Sequence, residues 1–303
     1  MNNKNFDVII VGGSYAGLSA AMALGRSLRN VLVIDSGSPC NRQTPHSHNF
    51  LTQDGKKPKE ISALAKEQVQ HYETVKFHDG TAIKASERAD NRFEVETESG
   101  EAFTADKLVF ATGIKDLLSA IEGFSACWGI SAVHCPYCHG YEFKSKKTGI
   151  LASVEVVAHL APLVNNLTDD LTILTNGQEI IFDDDLLKKF NKYNIKIITD
   201  EIIKMEHQNG YLENIVFKNG EKIPFNAVYS KPEFVQATDI PVSLGCELTE
   251  YGYIKVDHHQ KTTVPNVFAC GDNASPMRAV ANAVASGNLA GAIINKELTE
   301  ERF

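Results

Sequence analysis

Two cysteines, Cys135 and Cys138, lie two residues apart in the stretch AVHCPYCHGYEF, with His134 before them and His139 after them. Thiols and imidazoles at this spacing are compatible with three kinds of chemistry. They can bind a structural metal, anchor a c-type haem, or exchange electrons with another dithiol. The choice depends on the elements that the chain builds around the pair.

Zinc and haem are the less favoured of the three. A structural zinc site takes four ligands, usually as two pairs, whereas these side chains are close neighbours in sequence and no second CxxC exists. The Cys-x-x-Cys-His order matches c-type haem attachment, but that chemistry belongs to exported proteins. The start MNNKNFDVIIVGG runs directly into a strand pattern and lacks the regions of a signal peptide, so we expect a cytoplasmic protein.

A redox role has a direct physical basis. If the pair opens a helix, the N-terminus of that helix lowers the pKa of a thiol into the range of roughly 3.5–7.5, which yields a thiolate near neutral pH. Pro136 restricts the turn, and His139 is expected to take up or return a proton near pH 7. The sequence therefore favours a redox-active pair, with Cys135, Cys138 and His139 as the catalytic residues.

The N-terminal sequence predicts a strand, a tight turn, a helix and a second strand that could bind a nucleotide. Val8 to Val11 form an apolar run typical of a strand buried on both faces, and a second run, Val31 to Ile34, ends at Asp35. The turn after the first strand contains three glycines: Gly12, Gly13 and Gly17. In this context, backbone N–H groups can receive a pyrophosphate, and an acid about 20 residues later can bind ribose hydroxyls. Ser14 replaces the usual second glycine of the motif, which makes that contact more crowded.

Two later strand ends and the last helix resemble those of flavoproteins with two dinucleotide-binding domains. Leu108 to Gly113 reads as a strand ending in Ala-Thr-Gly, and Thr262 to Ser275 reads as a strand ending in Gly271-Asp272. In such flavoproteins the Gly-Asp pair contacts the ribityl and phosphate groups, so the resemblance implies FAD rather than NAD. It also places the N-terminus of the closing helix, residues 278 to 280, beside the flavin ring, where a helix N-terminus stabilises negative charge.

A second strand–turn–helix–strand pattern, from KKTGILASVEVVAHLAPLV to DDLTILTN, lies between these segments. Related reductases bind NADPH at the glycine-rich turn of this unit, but Ala152, Ser153 and Val154 occupy the turn here. A β-branched valine is a poor substitute for glycine where the backbone must approach a phosphate. The next strand is followed by Asn176-Gly177-Gln178 and not by an arginine pair that could hold a 2′-phosphate. We expect this unit to keep its fold and to have lost its nucleotide.

Together these motifs resemble the low-molecular-weight thioredoxin reductases over essentially the whole chain. HCPYCHGYE followed by a degraded nucleotide turn is similar to the branch of dithiol oxidases that close disulfides in gliotoxin-like and holomycin-like metabolites. In the reductases an aspartate usually follows the second cysteine, whereas His139 occupies that position here, as in the oxidases. The resemblance implies an α/β fold of two dinucleotide-binding, Rossmann-like three-layer domains, the second inserted into the first. Residues 1–115 and 241–303 are expected to form the FAD-binding domain, and residues 116–240 the inserted NAD(P)-type domain with the cysteine pair.

The resemblance implies FAD as the cofactor and no metal. The expected cofactor-binding residues lie in the first turn, the segment after the second strand, the two strand ends and the start of the last helix: Gly12, Gly13, Ser14, Ala16, Gly17, Asp35, Arg42, Asn49, Ala111, Thr112, Gly113, Gly271, Asp272, Arg278, Ala279 and Val280. In the implied mechanism a substrate dithiol attacks Cys135, Cys138 passes two electrons to the flavin, and His139 moves the proton. Oxygen or another electron carrier would then reoxidise the flavin.

The expected partner is a small dithiol or a thioredoxin-like protein, and the family implies a homodimer. Two other functions stay open at this point. The first is a thioredoxin reductase fed by ferredoxin or by an unconventionally bound NAD(P)H. The second is a flavin-containing redox sensor that turns over little.

Composition and charge argue against several other classes. The formal net charge of -8 disfavours a nucleic-acid or an anionic-membrane surface. No apolar run approaches the roughly 20 residues that a transmembrane helix requires. Six cysteines in 303 residues are too few for a disulfide scaffold. The four cysteines outside the pair are predicted to be buried and without a role in catalysis: Cys40, Cys127, Cys246 and Cys270.

Overall fold

The computed structural model describes residues 4–303, which divide into two compact units. Unit 1 comprises the chain up to Arg42, Asn49–Lys115 and Phe234–Phe303, and unit 2 comprises Gln43–His48 and Asp116–Glu233. The α/β fold with Rossmann-like units that the sequence predicted is confirmed. The second unit ends at Glu233 and not at the expected residue 240, because the chain re-enters unit 1 with a strand that starts at Phe234.

The strands are β1 (Asn5–Val11), β2 (Val31–Asp35), β3 (Val75–Asp79), β4 (Ala82–Glu87), β5 (Phe93–Thr97), β6 (Ala102–Phe110), β7 (Ile114–Asp116), β8 (Ala132–Val133), β9 (Thr148–Leu151), β10 (Leu171–Leu174), β11 (Lys196–Ile198), β12 (Ile202–Gln208), β13 (Tyr211–Phe217), β14 (Lys222–Pro224), β15 (Ala227–Ser230), β16 (Phe234–Gln236) and β17 (Val267–Ala269). The helices are α1 (Tyr15–Arg26), α2 (Pro58–Gln70), α3 (Phe124–Cys127), α4 (Pro136–His139), α5 (Val154–Asn165), α6 (Asp184–Lys192), α7 (Ile240–Ser243) and α8 (Val280–Arg302), with a 3₁₀ turn at Tyr141–Phe143.

Unit 1 is built on a seven-stranded sheet in the order β3-β2-β1-β6-β5-β4, with β17 also pairing with β6. The β3-β2-β1-β6 part and the β6–β17 pair are parallel. The apolar run of β1 explains its central place, because Val8 and Ile10 pack into one hydrophobic core while Ile9 and Val11 pack into another. A strand that is apolar on both faces has to be covered on both faces.

The long helix α8 packs closely on α1. A Cβ atom at Gly287 would lie 2.0 Å from the carbonyl oxygen of Ala16, so only glycine allows this approach. Near its C-terminus α8 is held by Lys107 of β6, whose side chain is only 1% exposed and whose Nζ lies 3.0 Å from Glu297 Oε2. These contacts fix the start of α8 relative to the carboxyl ends of the sheet.

Unit 2 contains a parallel five-stranded sheet in the order β11-β10-β9-β15-β8 and an antiparallel three-stranded sheet in the order β12-β13-β14. Helices α5 and α6 bury their apolar faces in one core with β9, β10 and β15. The acidic residues Asp183–Asp185 form the start of α6. Asp183 is the N-cap, because its carboxylate accepts a hydrogen bond from the backbone N–H of Leu186 at 2.7 Å. Among residues 4–303, no helix is both long and apolar enough to cross a membrane.

Candidate functional site

The cysteine pair of unit 2 forms a disulfide, with the Cα atoms of Cys135 and Cys138 5.3 Å apart. Strand β8 ends two residues before Cys135, which is the N-cap of α4 and is followed by Pro136. The Cys135 Sγ atom accepts the backbone N–H of Cys138 at 3.1 Å. Both sulfurs therefore belong to one redox centre, and both cysteines are half-buried.

The helix that the pair opens is shorter than the predicted mechanism needs. It ends at His139 after a single turn, and a 3₁₀ turn follows. A helix dipole builds up over several aligned peptides. The expected stabilisation of a thiolate is therefore limited to local N–H donors such as that of Cys138.

The expectation that His139 titrates near pH 7 is wrong for the disulfide form. Burial, and after it the charge of His48, lower the pKa of His139 to about 4. Its backbone N–H is bonded to the carbonyl of Cys135 at 3.2 Å, which holds it beside the disulfide. At neutral pH the imidazole is unprotonated and is available to accept a proton.

The other four cysteines differ from one another. Cys127, Cys246 and Cys270 are buried as predicted, and burial raises the pKa of Cys270 to about 12. The prediction for Cys40 is wrong, because this thiol is exposed in the loop that follows β2.

Unit 1 contains a cleft of about 440 Å³ at the carboxyl ends of β1, β2, β3 and β6. Ligands of open parallel sheets bind at such strand ends, where the direction of winding changes. Seven of the predicted cofactor-binding residues line this cleft: Gly12, Gly13, Ser14, Asp35, Arg42, Ala111 and Thr112.

The first turn has no room for side chains. Gly12 has φ +105°, and a Cβ atom there would lie 2.3 Å from the carbonyl oxygen of Ala111. At Gly17 a Cβ atom would lie 1.8 Å from the carbonyl oxygen of Gly12. The Gly13 N–H donates to Asp35 Oδ1 at 2.9 Å, which fixes the carboxylate at the cleft. Helix α1 starts without a side-chain cap, so this cradle fits a pyrophosphate at a helix N-terminus and a ribose at Asp35.

A second group of predicted residues lies at the end of β17 and the start of α8. The Gly271 N–H donates to Ser286 Oγ of α8 at 3.1 Å, and a Cβ atom at Gly271 would lie 3.0 Å from the Cβ of Ala16. Asp272 Oδ2 lies 3.9 Å from Arg278 Nε. Ala279 is the N-cap of α8, which begins at Val280 as expected.

Sequence reasoning missed Asn273, which joins the two groups. It is fully buried, and its Nδ2 donates to the Phe110 carbonyl at 2.8 Å and to Thr112 Oγ1 at 3.3 Å. The signal was available, because a polar residue directly follows the Gly271-Asp272 pair at a strand end. Also missed were polar residues and glycines of the cleft that follow β2 and β3 or precede α7: Ser36, Ser38, Gly80, Thr81 and Thr238.

Two further predicted cofactor residues, Asn49 and Gly113, neither line the cleft nor belong to the group at the end of β17 and the start of α8. Asn49 is exposed, has φ +59°, and its N–H donates to Asp54 Oδ1 at 2.7 Å. Gly113 follows the cleft residue Thr112 in a left-handed conformation, φ +67°. Asn49 has a local role in a turn, and its predicted contact with the cofactor stays a prediction.

The corresponding turn of unit 2 is filled by side chains. Between β9 and α5, Ser153 is the N-cap and Val154 is the first helical residue, which packs against the core of the unit. Glu155 adds a carboxylate to the first turn of α5. After β10, the Asn176 side chain is already engaged, because its Oδ1 accepts the N–H of Ile202 at 2.7 Å.

A dinucleotide-type cleft in one α/β unit and a redox disulfide in a second α/β unit define a dinucleotide-dependent disulfide oxidoreductase. Residues 6–287 match the model of the family described as pyridine nucleotide-disulphide oxidoreductase. The chain is similar to thioredoxin reductase tcpT of Claviceps purpurea, with 32% identity over 98% of this chain and 96% of that protein. It is also similar to thioredoxin reductase aclD of Aspergillus oryzae, with 30% identity and 94% of both chains covered. The crystal structure of an oxidoreductase from Agrobacterium tumefaciens matches with a TM-score of 0.91 and 36% identity over 98% of this chain and 99% of that one.

The chain belongs to the pyridine nucleotide-disulphide oxidoreductase family. It is a thioredoxin reductase-like, FAD-dependent disulfide oxidoreductase, and the resemblance drawn from its motifs is confirmed.

Proposed function

We propose that this protein is a dithiol oxidase that takes electrons from a substrate dithiol and not from NADPH. The observation that carries the proposal is the turn between β9 and α5, where Ala152, Ser153 and Val154 fill the place of a glycine-rich loop. A nucleotide phosphate requires close backbone approach and a positive helix N-terminus. Side chains oppose the approach, and the Glu155 carboxylate in the first helical turn repels the phosphate.

In this proposal FAD occupies unit 1. Gly12, Gly13 and Gly17 would hold the pyrophosphate, and Asp35 would bind the ribose. Asp272 and the start of α8 would bind the ribityl group and the flavin. Bound FAD supplies the two-electron acceptor for the reduced cysteine pair. The fit rests on a cradle that a Cβ atom at any of these glycines would fill.

The dithiol step uses Cys135, Cys138 and His139. Unprotonated His139 takes the proton of a substrate thiol, and the resulting thiolate attacks Cys135 Sγ. A mixed disulfide forms, the Cys135–Cys138 bond breaks, and Cys138 leaves as a thiolate. The second substrate thiol then attacks the substrate sulfur of the mixed disulfide, and its proton passes to Cys135, which is released as a thiol. The substrate leaves as a disulfide, and the enzyme keeps two electrons on its cysteine pair.

The substrate in this proposal is a small dithiol or a thioredoxin-like protein, and oxygen or another carrier is the final acceptor. The working form is a cytoplasmic homodimer. A second candidate, reduction of a thioredoxin-like protein, is favoured by one observation: the relatives tcpT and aclD are named thioredoxin reductases. In that case the same cysteine pair works in the opposite direction.

Steady-state oxygen consumption tests the proposal. FAD-loaded protein is given dithiothreitol in air without any nicotinamide, and disulfide formation is measured in parallel. We expect continuous turnover by the wild type and none by Cys135→Ser or Cys138→Ser. Turnover that requires NADPH would support the reductase, and a single round of reduction without turnover would support a redox sensor.

A further inference from the structure

Asn273 is a buried polar residue that connects two strand ends of unit 1. Its side chain is fully buried, and its amide nitrogen makes two hydrogen bonds. Nδ2 donates to the Phe110 carbonyl at 2.8 Å and to Thr112 Oγ1 at 3.3 Å. The Phe110 carbonyl also accepts the N–H of Cys270 at 3.0 Å. Asn273 therefore ties the end of β6 to the segment that follows β17.

The main chain of Asn273 is also held in place. Its carbonyl accepts the N–H of Ile254 at 2.8 Å and Gln236 Nε2 at 3.0 Å. Gln236 Nε2 in turn donates to the Gly252 carbonyl at 2.8 Å. Because both the backbone and the side chain of Asn273 are bonded, its two N–H donors have a fixed direction.

The donor side of the Asn273 amide is the part that the fold uses. The other amide atom, Oδ1, is buried and has no hydrogen-bond partner among the described residues. A buried acceptor without a partner destabilises a fold. An apolar side chain of similar size would avoid this cost but could not donate to Phe110 and Thr112. The contribution of Asn273 is therefore its pair of N–H donors.

Thr112 receives one of these donors at the edge of the cleft. It lines the cleft, and a Cβ atom at Gly12 would lie 3.2 Å from the Thr112 backbone nitrogen, so Thr112 is next to the glycine turn. A hydroxyl group has one hydrogen to donate and can accept two hydrogen bonds. The bond from Asn273 uses an acceptor position of Oγ1, and the hydroxyl hydrogen donates to no other residue in the described part of the chain.

We propose that the Thr112 hydroxyl donates a hydrogen bond to an oxygen of bound FAD and that Asn273 is the positioning residue that orients this hydroxyl. The inference rests on the proposed placement of FAD in unit 1 and not on the direction of electron transfer. The N–H of Asn273 attracts a lone pair of Oγ1 and repels the hydroxyl hydrogen. The O–H bond of Thr112 is thereby turned away from Nδ2 and toward a ligand, and phosphate and sugar oxygens of FAD are acceptors of the required kind.

Titration of the apoprotein with FAD, followed by fluorescence quenching, tests the donor. We expect Thr112→Val, which replaces the hydroxyl by a methyl group, to weaken FAD binding about 10-fold. Thr112→Ser keeps the hydroxyl and should stay within about 3-fold of the wild type. The matched control is Thr172→Val, because Thr172 is a buried threonine of unit 2 whose hydroxyl has no partner among the described residues. Wild-type affinity in Thr112→Val, or an equal loss in Thr112→Ser, would overturn the proposal.

A double-mutant cycle tests the positioning by Asn273. Asn273→Leu removes both N–H donors and should weaken FAD binding at least as much as Thr112→Val. In the Asn273→Leu background we expect Thr112→Val to cost less than about 3-fold, against about 10-fold in the wild-type background, because the two residues act through one hydroxyl. An equal cost in both backgrounds would show that Asn273 only stabilises the fold. If Asn273→Leu does not fold, Asn273→Asp permits the same comparison, since its carboxylate has the same shape and no N–H donor.

Gly13→Val separates this inference from the placement of the cofactor. If Gly13→Val loses FAD and Thr112→Val does not, the cofactor lies in unit 1 and the inference about Thr112 and Asn273 is wrong. If both variants bind FAD with wild-type affinity, the placement itself is wrong and the inference falls with it. The titrations contain no dithiol, so a protein that does not oxidise dithiols still gives a result for Thr112 and Asn273.

Discussion

Replacement of Gly13 by valine should remove FAD from unit 1. A Cβ atom at this position would lie 2.8 Å from Asp35 Cβ and 2.9 Å from Asp35 Cγ, so the aspartate has to move. The 2.9 Å bond from the Gly13 N–H to Asp35 Oδ1 is then lost. The first effect of the substitution is therefore on the ribose-binding carboxylate, before any contact with the pyrophosphate.

The loss of FAD affinity can be estimated from these two effects. A hydrogen bond to a charged group contributes about 1.5–3 kcal/mol, and overpacking typically costs about 1–3 kcal/mol. The combined loss of about 2.5–6 kcal/mol corresponds to a roughly 60–20,000-fold weaker FAD affinity. Asp35→Asn keeps the side-chain shape and an acceptor oxygen, so it should lose less FAD affinity than Gly13→Val.

The assay is the quenching of FAD fluorescence when the apoprotein is titrated with FAD. Ala152→Val is the matched control, because it adds a β-branched side chain to the corresponding turn of unit 2. It should leave FAD affinity unchanged, and far-UV circular dichroism should show that both variants are folded. A Gly13→Val protein that binds FAD with wild-type affinity would refute the placement of the cofactor.

Three further outcomes are expected. Calorimetry should detect no micromolar binding of NADPH to the wild type, and the double variant Ala152→Gly/Val154→Gly should bind NADPH more tightly. Micromolar affinity in the wild type would show that the turn between β9 and α5 still binds a nucleotide. Cys135→Ser and Cys138→Ser should both retain FAD and lose dithiol turnover, and His139→Ala should slow it by about 10²–10⁴-fold; wild-type rates in both cysteine variants would exclude the disulfide from the reaction. His139 binds a proton only near pH 4 in the folded protein but near pH 6.5 in the unfolded chain. The free energy of unfolding should therefore fall as the pH drops from 6.5 to 4, by at most roughly 3 kcal/mol. If denaturant titrations show the same fall for His139→Gln as for the wild type, His139 is not a buried, neutral imidazole.

Much of unit 1 could be predicted because its local structure is determined by residues that are close together in sequence. The apolar run of β1, the glycines at its end and Asp35 after β2 act through neighbours that are close in sequence. The start of α8 came from the family resemblance, which implied residues 278 to 280, and the helix begins at Val280. The bounds of the strand before Gly271 were less clear, because only Val267–Ala269 pair with β6 and the flanking residues form loops.

The contact between His48 and Glu142 could not be predicted, since it joins residues that are distant in sequence. His48 is separated from Glu142 by 94 positions in the numbering and approaches it only in the folded unit. The lowered pKa of His139 likewise comes from burial, which its polar sequence neighbourhood does not reveal. The short length of α4 was not predicted, although Gly140, which follows His139 and forms the C-cap, is a common signal for the end of a helix.

Anaerobic rapid mixing shows whether electrons enter through the Cys135–Cys138 disulfide from a dithiol or come from a nicotinamide. Oxidised, FAD-loaded protein is mixed in turn with NADPH, NADH and dithiothreitol, and the flavin absorbance is followed before and after air is admitted. We predict that only dithiothreitol bleaches the flavin rapidly and that Cys135→Ser is not bleached. The absorbance of the wild type should recover fully in air on the time scale of turnover. Rapid bleaching by NADPH would rule out the dithiol oxidase and identify the protein as a reductase.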